Sequence, residues 1–364
     1  MKKIRLIAFY LPQYHPIPEN DEWWGPGFTE WTNVASAKPL FHGHKQPKIP
    51  RDLGFYDLRV PETREKQAFF AKKAGIEGFC YWHYWFGNGK RLLNRPFDEV
   101  VATGKPDFPF CLGWANHSWK RKTWTAAGKD QMLIEQLYPG VDDYVNHFNT
   151  MLPAFKDKRY MKHDDGRLIF LIWDAIGFND TKVFFETWNK LAKDNGLEGF
   201  FFIGFTFEKE KREEILDKGY DAVCVDLIQD HYKQVSVYQK AVRKIRNIFH
   251  IWTPKINNYT TYANECIRYF EKSNRNEIPC ILPNWDHSPR SKQNATILIG
   301  CSPEKYIHLL KKIINIQNEK DDCTRKYVFI KSWNEWGEGN YLEPDMENGT
   351  TYIDAMQNFL HEKE

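Results

Sequence analysis

Eight apolar runs of strand length recur along the chain, each followed by residues with the period of an amphipathic helix, and this alternation restricts the fold more than any other feature. The runs lie at residues 4–10, 76–82, 108–114, 167–174, 199–205, 221–227, 278–285 and 326–333. Helix-period stretches follow at 63–75, 142–155, 183–196, 262–273, 303–317 and 351–362, with Gly75 and Gly196 placed where helices stop. Strands joined by helical crossovers run parallel, and eight such units close into a (β/α)8 TIM barrel, an α/β fold. No G-x-G-x-x-G follows any run, which argues against a doubly wound sheet. The chain has 364 residues, more than the roughly 250 of a minimal barrel, so long βα-loop insertions are expected after strand 1, at 11–60, and after strand 6, at 228–259. Without a Pro/Gly/Ser-rich linker or a repeat, residues 1–364 read as a single domain.

Bulk composition excludes several classes of function. The net charge is +3 and the basic residues are scattered, so a nucleic-acid partner is not expected. The seven cysteines, at 80, 111, 224, 266, 280, 301 and 323, form no C-x-x-C pair and sit mostly in apolar runs, which favours buried, reduced thiols and a cytoplasmic location. The short apolar run after the basic N-terminus breaks at Pro12 and reads as a first strand rather than a signal peptide. No stretch reaches the ~18 apolar residues of a membrane span. There is no D-x-D, Walker or H-E-x-x-H motif, and His42 and His44 read as surface residues, so no metal and no cofactor are expected.

The informative excess is aromatic: fourteen tryptophans, of which all but Trp188 and Trp252 fall at the C-terminal ends of the runs or in the loops after them. In a barrel those ends form the rim that carries the site. Indole faces beside Asn, His, Asp and Glu suit a pyranose, which offers C–H faces for stacking and hydroxyls for polar contacts. Tyr10, His83, Asn116 and Asp286 are polar at four different strand ends and are expected to line one cleft. Tyr84, Trp114, His117, Trp285, Trp333 and Asn334 are expected to join them. The first insertion, over 13–33, is expected to fold across the mouth and bring Trp23, Trp24, Glu30 and Trp31 to the ligand.

The densest cluster is WNEWGEGNYLEPD at 333–345. Strand alternation from Lys331 and Trp333 points Glu335 into the mouth, and Gly337 and Gly339 permit a turn that returns Glu338 to the same cleft. Two carboxylates on one loop are what glycoside cleavage requires. A bracing role remains open for them, with Lys331, Arg121 or Arg290 as partner. Glu343 and Asp345 read as capping or solvated, and Asp52 and Asp57 as surface residues.

FYLPQYHPIPENDEWWGPGFTEWTNV, KPLFHGHKQPKIPRDLGFYDLR, CYWHYWFGNGKRLLNRPFDEV, PFCLGWANHSW, LPNWDHSPR and SWNEWGEGNYLEPD together resemble the WbsX-type family, labelled glycosyltransferases of lipopolysaccharide or O-antigen clusters, over essentially the whole chain. The last segment also resembles the N-E-W-x-E-G stretch of the glycoside hydrolase family 99 endo-α-mannosidases and endo-α-mannanases, which are (β/α)8 barrels. That resemblance implies that Glu335 takes a proton from a sugar 2-hydroxyl while Glu338 acts as acid and then base, an acid whose pKa should be raised. In one place the chain departs from the pattern: where WbsX-type chains read W-A-N-E-N-W, this one has His117 in place of the glutamate. The expected function is a bacterial retaining glycoside hydrolase or transglycosylase acting on an oligosaccharide or polysaccharide through Glu335 and Glu338. The alternatives are a glycosyltransferase of lipopolysaccharide O-antigen or capsule biosynthesis and a non-catalytic glycan-binding barrel.

Overall fold

Each of the eight apolar runs forms a strand in the computed structural model, which describes residues 4–121, 131–233, 254–273, 276–319 and 326–361. The strands are β1 (Arg5–Tyr10), β2 (Gly78–Trp85), β3 (Phe110–Trp114), β4 (Leu168–Ile172), β5 (Phe200–Thr206), β6 (Ala222–Asp226), β7 (Glu277–Ile281) and β8 (Tyr327–Ile330). Each pairs in parallel with its neighbours in sequence, and β1 closes the ring by pairing with both β2 (Ile7 opposite Gly78) and β8 (Arg5 opposite Tyr327). The result is a closed (β/α)8 barrel.

Helices supply the crossovers: Pro61–Lys73, Arg95–Thr103, Val141–Phe155, Thr181–Asp194, Arg212–Asp217, Tyr259–Glu271 and Pro303–Glu319, with Thr351–His361 following β8. Gly75 (φ +74°) and Gly196 (φ +77°) take the left-handed conformation just past two of these helices, as their placement in the sequence implied. The insertion after β1 carries two short helices, Pro18–Trp24 and Glu30–Ser36. Of the insertion after β6, the helix Ile228–Lys233 and the strand Lys255–Asn258 are described, while 234–253 lies outside the described residues. Lys255–Asn258 pairs with Thr296–Ile299 in a small parallel sheet at the rim. The six cysteines among the described residues are free and buried or half-buried, and no described helix is long and apolar enough to cross a membrane.

Side-chain alternation sets what the barrel interior offers its mouth. Phe9 of β1 and Trp82 of β2 stack face to face inside (centroids 4.5 Å, 7°). Trp82 meets Trp173, just after β4, edge-on at 5.1 Å, and Trp173 stacks on Phe205 of β5 at 4.6 Å. This aromatic floor requires Gly113 beneath it, because a Cβ there would stand 2.9 Å from the Trp82 ring and 3.2 Å from Cys80 Sγ. Replacing Gly113 with Ala is expected to cost about 1–3 kcal/mol, the range for overpacking a core. Urea unfolding followed by tryptophan fluorescence checks this, with a native-state spectral change marking displacement of Trp82.

Candidate active site

Behind β8 the chain enters a tight hairpin in which Asn334–Glu335 pairs antiparallel with Asn340–Tyr341 around a short turn at Trp336–Glu338. The side-chain amide of Asn334 fixes its entry: Oδ1 accepts from Leu11 N (2.8 Å) and Nδ2 donates to Leu11 O (3.0 Å), imitating one rung of a sheet. Tyr14 Oη donates to Asn334 O (2.6 Å) and accepts from Trp336 N (3.0 Å). Beneath the turn, Glu343 accepts from Trp336 Nε1 (2.6 Å), Gln67 Nε2 (2.7 Å) and Tyr56 Oη (2.9 Å). Glu343 and Asp345, read from sequence as capping or solvated, are therefore buried supports of the loop. Burial raises the Glu343 pKa to about 7, against the hydrogen bonds that lower it.

This scaffold presents Glu335 and Glu338 to Arg290, carried by the short helix Ser288–Ser291 after β7. The guanidinium reaches Glu335 Oε1 (2.5 Å), Glu338 Oε1 (2.8 Å) and Glu30 Oε2 (3.0 Å). Glu30 sits at the first turn of Glu30–Ser36, where Thr29 caps the helix by accepting from Trp31 N (3.2 Å). Gly337 lets these charges meet, since a Cβ there would fall 2.9 Å from Arg290 Nε. Of the partners weighed for the two carboxylates, Arg290 is the one they use. Three carboxylates around one guanidinium leave negative charge in excess. Burial raises Glu335 to about 8, the Arg290 charge works against the rise, and Glu338 and Glu30 add to it. The structure raises Glu335, a carboxyl for which the sequence carried no such expectation.

In front of the cluster lies a cavity of about 760 Å³ at the barrel mouth, whose lining includes Trp82, Trp173, Phe207 and Lys331 on the floor and Trp285 and His287 on the wall. Of the residues predicted from sequence, Glu30, Tyr84, His117, Trp285, Glu335 and Glu338 line it together. Burial lowers the His117 pKa, with Asp174 opposing, so a neutral imidazole stands where a glutamate was expected.

The remaining predicted residues do not reach the cavity. Tyr10, His83 and Trp114 each sit one position from an inward-facing residue (Phe9, Trp82 and Gly113) and so face the outer helices. Tyr10 Oη donates to Gln67 (2.7 Å), His83 Nε2 meets His147 Nε2 (2.8 Å), and Trp114 Nε1 donates to Trp85 O (2.9 Å). Asn116 latches the loop after β3 to the end of β4, accepting from Asp174 N (2.7 Å) and donating to Asp174 O (3.1 Å). Asp286 accepts from Ser288 N at the start of the Arg290 helix (3.0 Å) and binds Gln46 Nε2 (2.6 Å) and His44 Nε2 (2.7 Å). His44, read as a surface residue, is a partner of that carboxylate. Trp31 is wedged among Tyr14, Tyr56 and Trp336 with its Nε1 on Tyr56 O (2.7 Å). Trp23 packs on Trp119, Trp24 is 44% exposed beside Arg121, and Trp333 is buried against Phe79. The expected four-strand convergence of Tyr10, His83, Asn116 and Asp286 is thus absent, and of the insertion residues expected at the ligand Glu30 lines the cavity, joined by Gln13, while Trp23, Trp24 and Trp31 do not. Trp82 and Trp173, which line the cavity, were not among the residues expected there, although each is a tryptophan at the end of an apolar run. Among the described residues no group of His, Cys, Asp and Glu side chains is placed to hold a metal ion.

Solved structures that superpose on this chain share its (β/α)8 barrel fold. The glycosyltransferase WbsX family model matches residues 6–356, and the chain belongs to that family. WxcX of Xanthomonas campestris pv. campestris, described as an uncharacterized protein, is 34% identical over 360 residues, covering 98% of this chain and 49% of WxcX. The chain therefore spans about half the length of the curated relatives it matches. Among solved structures, the family 99 endo-α-mannosidase of Bacteroides thetaiotaomicron superposes with a TM-score of 0.55 at 15% identity, covering 98% of this chain and 97% of that one. A glycoside hydrolase-like protein superposes at 0.58 and 16% identity, covering 98% and 94%. At such identities the likeness shows the fold.

The raised Glu335 makes stability depend on pH. Between its ordinary value of 4.5 and about 8, the folded state holds a proton that the unfolded chain has released. Its contribution therefore falls as pH rises through that window. Glu335→Gln is expected to flatten the decline and to be more stable than the wild type at pH 8. Urea midpoints measured from pH 5 to pH 8.5 check this, and parallel slopes for the two proteins would refute the shift.

Proposed function

We propose that this chain is a carbohydrate-active enzyme that cleaves glycosidic bonds within a glycan, with retention, using Glu335 and Glu338 and needing neither metal nor nucleotide. The supporting observation is the buried carboxylate cluster on Arg290 beside an aromatic-floored cavity. An indole floor receives the C–H face of a pyranose, and the cluster provides in Glu335 an acid whose proton affinity burial has raised. Residues 1–364 act in this reading as one catalytic barrel.

Role assignment follows the resemblance to the family 99 enzymes. Glu335 removes the proton of the 2-hydroxyl as that oxygen attacks C1, and Glu338 gives its proton to the departing glycosidic oxygen. The product is a 1,2-anhydro sugar. Water, losing a proton to Glu338, then opens it at C1, and Glu335 returns a proton to O2. Two inversions at C1 give net retention. A hydroxyl is a very weak acid, so a base raised to about 8 suits the task better than an ordinary carboxylate.

Because Glu335 acts in its ionised form, kcat/KM is expected to rise with pH through about 8. If it were instead the acid, the rate would fall through the same value, so the profile on α-manno-oligosaccharides distinguishes the two roles. Those probes are chosen because the structural relatives include an endo-α-mannosidase. Replacing either glutamate by Gln is expected to cost about a hundredfold to ten-thousandfold in rate with binding retained. A substrate with a low-pKa leaving group should rescue Glu338→Gln far more than Glu335→Gln.

The family description favours a second reading, a glycosyltransferase of lipopolysaccharide O-antigen or capsule synthesis. Calorimetry with UDP- and GDP-sugars separates the two, since nucleotide-dependent binding supports transfer and its absence beside oligosaccharide binding supports cleavage.

A further inference from the structure

The cavity floor carries a buried ammonium for which the carboxylate chemistry provides no role. Lys331 follows β8, is 6% exposed, and holds its Nζ 2.9 Å from Asp226 Oδ2. Around the same nitrogen lie the ring centroids of Trp173 (5.0 Å), Phe205 (4.7 Å) and Phe207 (4.3 Å). Aromatic faces attract a cation but do not replace ordinary hydrogen-bond acceptors. Lys331 Nζ and Asp226 Oδ2 pair with each other, and among the described residues neither has another hydrogen-bond partner. Asp226 Oδ1 is engaged by Ile228 N (2.9 Å). An ammonium carries three donors, and with one spent on Asp226 the other two are costly to leave unused in a buried site unless a ligand takes them. Lys331 lines the cavity, so an occupant can reach it.

We infer that Lys331 is a substrate-contacting residue that donates to hydroxyl oxygens of an uncharged sugar unit lying against Trp82 and Trp173, and that this contact favours neutral over acidic sugars. The inference rests on the reading of the cavity as a glycan site. The preference follows from the charges that face the floor. Asp226 already balances Lys331, and the adjoining wall sets Glu30, Glu335 and Glu338 against Arg290. Lys233, on the far side, stands 3.4 Å from Glu208 and 3.5 Å from Asp230, and Lys255 is exposed at the rim. A sugar carboxylate would meet a balanced pair below and excess negative charge beside it, whereas hydroxyls accept from Lys331 without that penalty.

A merely structural ion pair between β6 and β8 would affect stability and leave affinity alone, so the test reads binding. Calorimetry is done on Glu335→Gln protein, which keeps the glycan intact and mimics the protonated carboxyl. The probes are neutral α-manno-oligosaccharides and, as their acidic counterpart, oligogalacturonides. Lys331→Met leaves Asp226 buried and unpaired, so it is combined with Asp226→Asn to keep the fold. The expected result is neutral glycan bound at least about tenfold more tightly than acidic, with the Lys331→Met/Asp226→Asn change weakening neutral binding by about tenfold to a hundredfold, the worth of a charged hydrogen bond. Unchanged affinity in the folded double variant overturns the role of Lys331 and leaves the glycan reading standing. Tighter binding of the oligogalacturonides overturns the neutral preference. Failure of folded Glu335→Gln protein to bind any of these glycans overturns the glycan reading and this inference together.

Discussion

The meeting of Arg290 with Glu30, Glu335 and Glu338 is the interaction on which the barrel mouth depends. It joins three segments that the fold otherwise leaves separate: the insertion after β1, the short helix after β7 and the hairpin after β8. Charges buried to this degree are tolerated only when paired and hydrogen-bonded, and removing one partner strands the others. Much of the surrounding structure serves that condition. Asp286 accepts from the first N–H of the helix that carries Arg290 and donates its own N–H to Glu338 O (2.7 Å), while Gln46 and His44 hold Asp286 in turn. Although burial opposes it, these bonds hold the Asp286 carboxyl below its usual range.

The cluster gains chemical meaning from what lies next to it. Four aromatic rings, from β1, β2, the residue after β4 and β5, pave the interior below the mouth, so the acids face a surface that receives an apolar ring face rather than bulk water. Two side-chain amides keep that geometry rigid by the same device. Asn334 latches the β8 hairpin to Leu11, and Asn116 latches the β3 loop to Asp174. Rigid supports of this kind let a site hold carboxyls at unusual proton affinity, because a looser loop would admit water and relax the shift.

The barrel was legible because hydrophobic period and strand length repeat in one dimension, and every apolar run became a strand. Glu335, Glu338, Tyr84, His117 and Trp285 were legible because polar and aromatic residues stood at or just after strand ends, and Glu30 because its insertion is rich in Trp and punctuated by Pro and Gly. At three strands the reading missed by one residue: at β1, β2 and β3 it named Tyr10, His83 and Trp114, and the residues facing inward were Phe9, Trp82 and Gly113. A period of two makes such a slip reverse the face, and composition does not say which face is inside. Contacts across the fold were invisible for another reason. Glu343 is supported by Gln67 and Tyr56, 276 and 287 positions away, and no local pattern encodes such a meeting. Arg290 could be named only as one of three possible partners, because the Ser288–Ser291 turn that aims it is set by Asp286.

Isotope tracing tests most directly whether the buried cluster breaks glycosidic bonds without nucleotide. The protein is incubated with α-manno-oligosaccharides in ¹⁸O-labelled water, with and without UDP- and GDP-sugars, and the products are read by mass spectrometry. Label at newly formed reducing ends, in wild-type protein and with no nucleotide present, is the expected result. Glycans that lengthen only when a sugar nucleotide is supplied, with no labelled ends, would contradict it.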